Sequence, residues 1–279
     1  MKIVSVITKD GLELYGMMND INHSKAMFLH THGTGSSFYM EGYEQEIMEV
    51  LGLKNIDSLF VNNRGAYLLE AWQQSGAAVE KFEDSVFDID AWIKFALDNG
   101  YESIILSGHS LGSEKVAYYS KNGNYKNKVT KLFLLGFSDS FGSQERYLKK
   151  NDFDFMEEAN NLVEQSFGQR LLSSGLPVHS GEIPMSAQSY IDFYGSDNKF
   201  KQALPFASGN LEHLKDITIP VIGIIGDDEH EEWTIVPIDV AMNLLKDTLL
   251  DFTGYKLVNC SHTFTNHHKE LSSIISKHI

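Results

Sequence analysis

The chain holds one cysteine in 279 residues, five prolines, and too little base for its acid: 23 lysines and arginines stand against 38 aspartates and glutamates, a formal net charge of −15. Each shortage excludes something. A lone cysteine, Cys260, cannot build an intramolecular disulfide framework or a cysteine-cluster zinc site. The acidic balance argues against a nucleic-acid partner, because phosphate backbones need a basic surface. No apolar run approaches the roughly 18 residues of a membrane span, so no membrane partner is expected. Ser5, Thr8, Lys9 and Asp10 interrupt the N-terminal apolar run, unlike a signal peptide. Together these shortages point to a soluble, cytoplasmic protein.

What is present is a globular composition, 42% hydrophobic and 22% charged, which excludes wholesale disorder. At about 150 residues per domain the length allows two domains, but α/β domains of this size are often single. No repeat or low-complexity tract is visible. Short apolar runs alternate with amphipathic stretches. Strands are expected at 2–8, 12–18, 25–30, 57–61, 103–106, 129–135, 221–225 and 252–259. Helices are expected at 39–52, 79–98, 111–120, 238–247 and 266–278. In 79–98 the residues Val79, Phe82, Val86, Ile89, Trp92, Ile93 and Phe95 follow a helical period. This alternation implies an α/β fold, a mostly parallel central sheet with helices on both faces. It stops between 143 and 215, where no convincing apolar strand occurs but aromatics and methionines abound and three of the five prolines fall. That segment reads as a mostly helical cap, or lid, over a core formed by 1–142 and 216–279.

Gly108-His-Ser-Leu-Gly112 fits G-x-S-x-G. The motif alone is weak. Its placement between a strand and a helix is what a nucleophile elbow requires, with glycines permitting the turn that lifts Ser110 clear of the sheet. A serine hydroxyl is a poor nucleophile until a base takes its proton. Of the 11 histidines, His262 lies between the last strand and the last helix, at the same sheet edge as Ser110. His109 is expected to point away from the site, and His267 and His268 to lie on the surface. His213 reads as a substrate contact or a polar surface residue. The third member should be a carboxylate after the penultimate strand. There Gly226-Asp-Asp-Glu-His-Glu-Glu232 offers five acids. Asp228 is the first choice and Glu229 the alternative, with Asp139 a further location. Most of these acids must be bystanders in a solvated loop.

An acyl-transfer oxyanion needs two converging donors. The Leu111 N–H at the start of the helix is one. Thr34, between two glycines in His32-Gly-Thr-Gly35, is the expected second. A dinucleotide site is disfavoured because Gly33-Thr-Gly35 meets Phe38 where the third glycine belongs. A metal bound by His30 and His32 lacks a nearby third ligand. No metal and no cofactor are expected.

With Ser110, an acid near 228 and His262 in that order, the chain resembles the α/β-hydrolase superfamily. The elbow, the His32-Gly33 loop and Asn63-Arg64-Gly65 fit that resemblance, which covers 1–142 and 216–279 and puts the insertion where a cap usually sits. Members often place the acid three residues after the glycine, which here is Glu229. The stretches Phe38-Tyr-Met-Glu-Gly42, Asn62-Asn-Arg-Gly65 and Ser261-His-Thr-Phe264 are similar to a narrower branch containing fungal siderophore (fusarinine) esterases and many uncharacterised bacterial relatives. The resemblance implies a serine hydrolase acting on an ester, amide or thioester of a small-molecule substrate. An acyltransferase or thioesterase-like tailoring enzyme would carry the same triad. A non-catalytic ligand-binding member of the fold would have no need of it.

Overall fold

The computed structural model describes residues 1–20, 24–152, 154–173, 176–178, 181–228 and 233–279. Eight strands form one sheet: β1 (Lys2–Ile7), β2 (Glu13–Asn19), β3 (Ala26–Thr31), β4 (Asp57–Val61), β5 (Ser103–His109), β6 (Val129–Leu135), β9 (Val221–Gly226) and β10 (Phe252–Leu257). Their spatial order is β1-β2-β4-β3-β5-β6-β9-β10. β1, β2 and β4 pair antiparallel, and every other pair is parallel. β3 and β5 are neighbours that send their connections to opposite sides of the sheet. A crevice therefore opens at their carboxyl ends, the usual ligand position in such sheets. The pairing sets Thr31 opposite Gly108, which brings the His32–Gly35 loop beside the elbow.

The central strands are buried on both faces, so they read as continuous apolar runs instead of alternating ones. β4 is buried at all five positions and β9 at all six. One face is covered by α1 (Glu44–Leu53) and α8 (His268–Lys277) and the other by α2 (Ser85–Asp98) and α3 (Leu111–Asn122). α2 shows why the chain turns where it does. Val86, Ile89, Trp92, Ile93 and Ala96 form its buried stripe. Gly100 then adopts φ +91°. The N–H groups of Gly100 and Tyr101 donate to the carbonyls of Leu97 and Ala96 at 3.0 and 3.2 Å, closing the helix and sending the chain into β5.

Two elements begin later than the sequence pattern suggests. The helix expected over 39–52 starts at Glu44, and that expected over 79–98 becomes a 3-10 turn at Phe82–Asp84 followed by α2. β5 runs on to His109, directly into the elbow.

Between β6 and β9 lie α4 (Ser140–Asn151), α5 (Met156–Glu164), a small hairpin of β7 (Leu176–Val178) and β8 (Gly181–Ile183), α6 (Ala187–Tyr194) and several 3-10 turns. α4 opens three residues before the expected boundary at 143, and the hairpin adds strand where none was expected. This segment shares one hydrophobic cluster with the sheet: Phe193 and Phe200 pack on Phe82, just before α2, with ring centroids 6.1 and 4.6 Å apart. α7 (Ile238–Thr248) joins β9 to β10. Among the described residues no helix is long and apolar enough to cross a membrane.

Candidate active site

Ser110 sits between β5 and α3 with φ +53° and ψ −125°, a backbone state that costs a non-glycine residue energy. Three contacts hold it there. Its N–H donates to Leu135 O at 2.9 Å, and its carbonyl accepts from Ser113 N and Ser113 Oγ at 2.8 and 2.6 Å. The motif's glycines are sterically required. A Cβ on Gly108 would collide with the Gly112 carbonyl, and one on Gly112 would lie 2.6 Å from the His32 and Thr31 carbonyls. The serine is partly exposed, while the elbow around it is buried.

The His32–Gly35 loop touches the serine directly, since a Cβ on Gly33 would lie 2.9 Å from Ser110 Cβ. Its shape comes from polar contacts beneath it. Asn63 N–H donates to His32 Nε2 at 3.2 Å, so Nδ1 carries the ring proton and donates to Gly33 O at 2.7 Å. Burial pulls His32 down to a pKa of about 4, so it stays neutral. Asn63 Nδ2 donates to Thr31 Oγ1 and His32 O, and Asn63 Oδ1 accepts from Lys115 Nζ at 2.8 Å. Lys115 in turn pairs with Glu80 at 2.5 Å, each side chain 1% exposed. Gly33 N–H is taken by Glu41 Oε1 at 3.2 Å, which leaves Thr34, the next residue, as the loop's candidate oxyanion donor. Thr34 is exposed in a turn closed by Ser36 N–H to Gly33 O, with Gly35 at φ +65°. Leu111 is the first residue of α3, where a backbone N–H has no intrahelical acceptor.

His262 is 7% exposed and follows β10. The loops after β9 and β10 are laced together. Asp227 and Asp228 donate their N–H groups to Leu257 O and Cys260 O, and Asp227 Oδ1 accepts from Asn259 N at 2.6 Å. The stretch that offers the acid thus lies beside the one carrying His262. The Asp228 side chain is exposed, and among the described residues it makes no hydrogen bond. Glu229, the alternative, lies outside the described residues. Asp139 is committed elsewhere, its two carboxylate oxygens accepting Gly142 N and Ala207 N at 2.7 Å. Burial raises its pKa to about 6.

Several participants carry no sequence motif. Trp233, in the loop after β9, stacks on the His262 ring with centroids 3.6 Å apart and planes 5° apart. His109 is neither exposed nor idle: its Nε2 donates to the His262 carbonyl at 2.9 Å and its Nδ1 lies 2.5 Å from Glu41 Oε2. His268 is not a free surface group, since its ring packs edge-on against Tyr43. His213 Nε2 contacts the Ala203 carbonyl inside the insertion. The signals available were small: an acid, Glu41, in an otherwise uncharged stretch before a helix, and one of only three tryptophans within the acid-bearing loop.

The remaining candidates are spoken for. His30 contacts Ser107 Oγ through Nδ1 and Tyr43 OH through Nε2, and burial takes its pKa down to about 3. Arg64 is clamped by Asp88, Asp10 and Asp84, which leaves no free fork for a phosphate. Among the described residues no cluster of three or more ligating side chains could hold a metal ion. Cys260 is buried, and burial pushes its thiol up to about 12.

No protein-family model matches the chain, and no curated protein matches it. Solved structures do. Est1E from Butyrivibrio proteoclasticus, with ferulic acid bound, is 15% identical with a TM-score of 0.66, over 99% of this chain and 97% of that one. The esterase Pf2001 of Pyrococcus furiosus is 16% identical with a TM-score of 0.62, over 99% and 90%. An alpha-beta serine hydrolase homologue from Coxiella burnetii is 13% identical with a TM-score of 0.60, over 100% and 97%. With this strand order, elbow and likeness, the chain has the fold of the α/β-hydrolase superfamily.

Proposed function

We propose that the protein is a serine hydrolase that cleaves an ester bond of a small-molecule metabolite through an acyl-enzyme on Ser110. The observation that carries this reading is the strained Ser110 backbone at the head of α3, with Gly33 packed against it. Nothing in the packing of a sheet requires a serine in that state, whereas a nucleophile presented to an oxyanion site does. His262 takes the hydroxyl proton as Ser110 attacks the carbonyl, and the N–H groups of Thr34 and Leu111 hold the oxyanion. His262 then returns the proton to the leaving group, and it activates the water that releases the acid. The acid that orients His262 comes from the loop after β9, either Glu229 or an Asp228 that turns inward from its exposed position. No cofactor enters the reaction. Solved structures of the same fold include esterases, which supports an ester as substrate.

The reading is tested by turnover on short-chain aryl esters with wild type, Ser110→Ala and His262→Ala. Each substitution should lower kcat by about 10⁴- to 10⁶-fold, by analogy with subtilisin. Turnover retained by either variant overturns it. Transfer to an added amine or alcohol in place of water would mark an acyltransferase with the same triad.

A further inference from the structure

Beneath the elbow runs a second line of polar contacts that the triad does not use. Glu41 Oε1 accepts the Gly33 N–H at 3.2 Å, and Glu41 Oε2 lies 2.5 Å from His109 Nδ1. The opposite nitrogen of His109 faces the His262 carbonyl at 2.9 Å. A carbonyl only accepts, so His109 Nε2 must carry a proton. On the other side His109 Nδ1 and Glu41 Oε2 stand at ion-pair distance, 2.5 Å, without the geometry of a directed hydrogen bond. The His109 and Glu41 side chains are 5% and 4% exposed. Burial works against charging either one, yet the attraction between them raises His109 and lowers Glu41. The pair is therefore a buried imidazolium–carboxylate. Tyr43 OH donates to Glu41 Oε2 at 3.2 Å and accepts from His30, whose other nitrogen accepts from Ser107 Oγ of β5. Gly136, at φ +49°, leaves room for this contact: a Cβ there would lie 2.9 Å from His109 Nε2 and 3.1 Å from the His262 carbonyl.

We propose that Glu41 and His109 are positioning residues: their buried ion pair sets the spacing between the oxyanion loop and the loop of the base, with the elbow held between them. The inference rests on the hydrolase reading above. Three contacts lead from Gly33, next to Thr34, through Glu41 and His109 to the main chain of His262. A buried ion pair adds little stability over a well-packed apolar replacement, so stability does not account for its presence here. Geometry does. Both ends of the pair terminate on backbone atoms of the two segments whose separation decides whether the base and an oxyanion donor can serve one carbonyl carbon. A misplacement of 1 Å costs on the order of 10²-fold in rate.

The test combines a signature with a kinetic split. In ¹⁵N-histidine-labelled wild type at neutral pH, His109 should show both ring nitrogens protonated. Glu41→Gln should leave His109 with a single ring proton. It should also lower kcat by about 10²-fold while KM stays within about threefold and the folded near-UV dichroism is retained. His109→Gln, whose amide can still donate to the His262 carbonyl, should lower kcat in the same way. Restored kcat in Glu41→Asp, which keeps the charge, would support the pair further. A wild-type His109 with a single ring proton overturns the proposal, as does wild-type kcat in folded Glu41→Gln and His109→Gln. A lower Tm with unchanged kcat per folded molecule overturns it too, since that is a purely structural role. Should neither variant fold, the protonation state of His109 in wild type decides. Turnover that survives Ser110→Ala overturns instead the hydrolase reading on which the inference rests.

Discussion

The floor beneath Ser110 and the segment between β6 and β9 are held by different forces. The floor, around β3, β5 and the start of α3, is pinned by buried charges and directed hydrogen bonds: Glu41 with His109, Glu80 with Lys115 and Asn63, Arg64 with Asp88. In the segment between β6 and β9 aromatic rings pack on one another and on the core. Phe193 and Phe200 lie 5.1 Å apart and both meet Phe82, while Tyr190 meets Tyr194 at 5.1 Å and Phe137 meets Phe206 at 5.7 Å. Hydrogen bonds have narrow angular preferences and fix atoms to within tenths of an ångström. Apolar packing excludes water and stabilises in proportion to area, but it tolerates exchange of one shape for another. If Ser110 is the nucleophile proposed above, the floor needs the first property.

The largest expected effect tests the floor. Lys115→Met strands Glu80 as an unpaired buried charge and should cost about 3–5 kcal/mol, measured by urea denaturation. Adding Glu80→Leu should recover much of that stability without recovering activity, because Asn63 still lacks its Lys115 partner and with it the set of the His32 loop. If the double variant is both stable and fully active, the floor's charges do not set geometry and the contrast collapses. A smaller effect tests the segment between β6 and β9. Phe200→Leu should cost about 1–2 kcal/mol, with kcat on a small ester changed less than threefold or so. A fall in kcat as large as that from floor substitutions would erase the distinction.

The smallest effect concerns the seam between the two. Glu114, in the first turn of α3, accepts from Ser138 Oγ, Ser140 N and Ser140 Oγ at the entry to α4. Burial raises its pKa from 4.5 to about 8, an effect its hydrogen bonds oppose. A raised folded-state pKa means the folded chain holds this proton more tightly than the unfolded chain. The contribution is complete below about 4.5 and is lost as pH rises through about 8. Glu114→Gln should therefore flatten the fall in Tm between pH 5 and pH 9 and gain at the alkaline end. A gain of about 1 kcal/mol would appear as roughly 2–4 °C. An unchanged slope would show that the buried carboxyl does not titrate in this window.

The same contrast explains how much was legible in the sequence. Strands and helices of the core announce themselves through periodicity and continuous apolar runs, so β1 to β6, β9 and β10 fall close to their expected places. The elbow at Ser110 and the place of His262 after the last strand are readable because both are local features. Glu41, His109, Lys115 and Trp233 are not, because their meaning lies in partners distant in sequence: Glu41 and His109 are 5% or less exposed only because β3 and β5 bring them together. The turn before α1 suits either state by its apolar residues, and only the Glu41 and Tyr43 contacts fix it as a loop. The hairpin Leu176–Val178 with Gly181–Ile183 is too short to carry a periodic signal.

The central claim is that Ser110 is an activated nucleophile, and covalent labelling addresses it most directly. Wild type and Ser110→Ala would be treated with a fluorophosphonate and analysed by peptide mass spectrometry. The account predicts a single phosphonylated peptide containing Gly108-His-Ser-Leu-Gly112 in wild type and none in Ser110→Ala. An unlabelled wild type, or equal labelling of the variant, would contradict it.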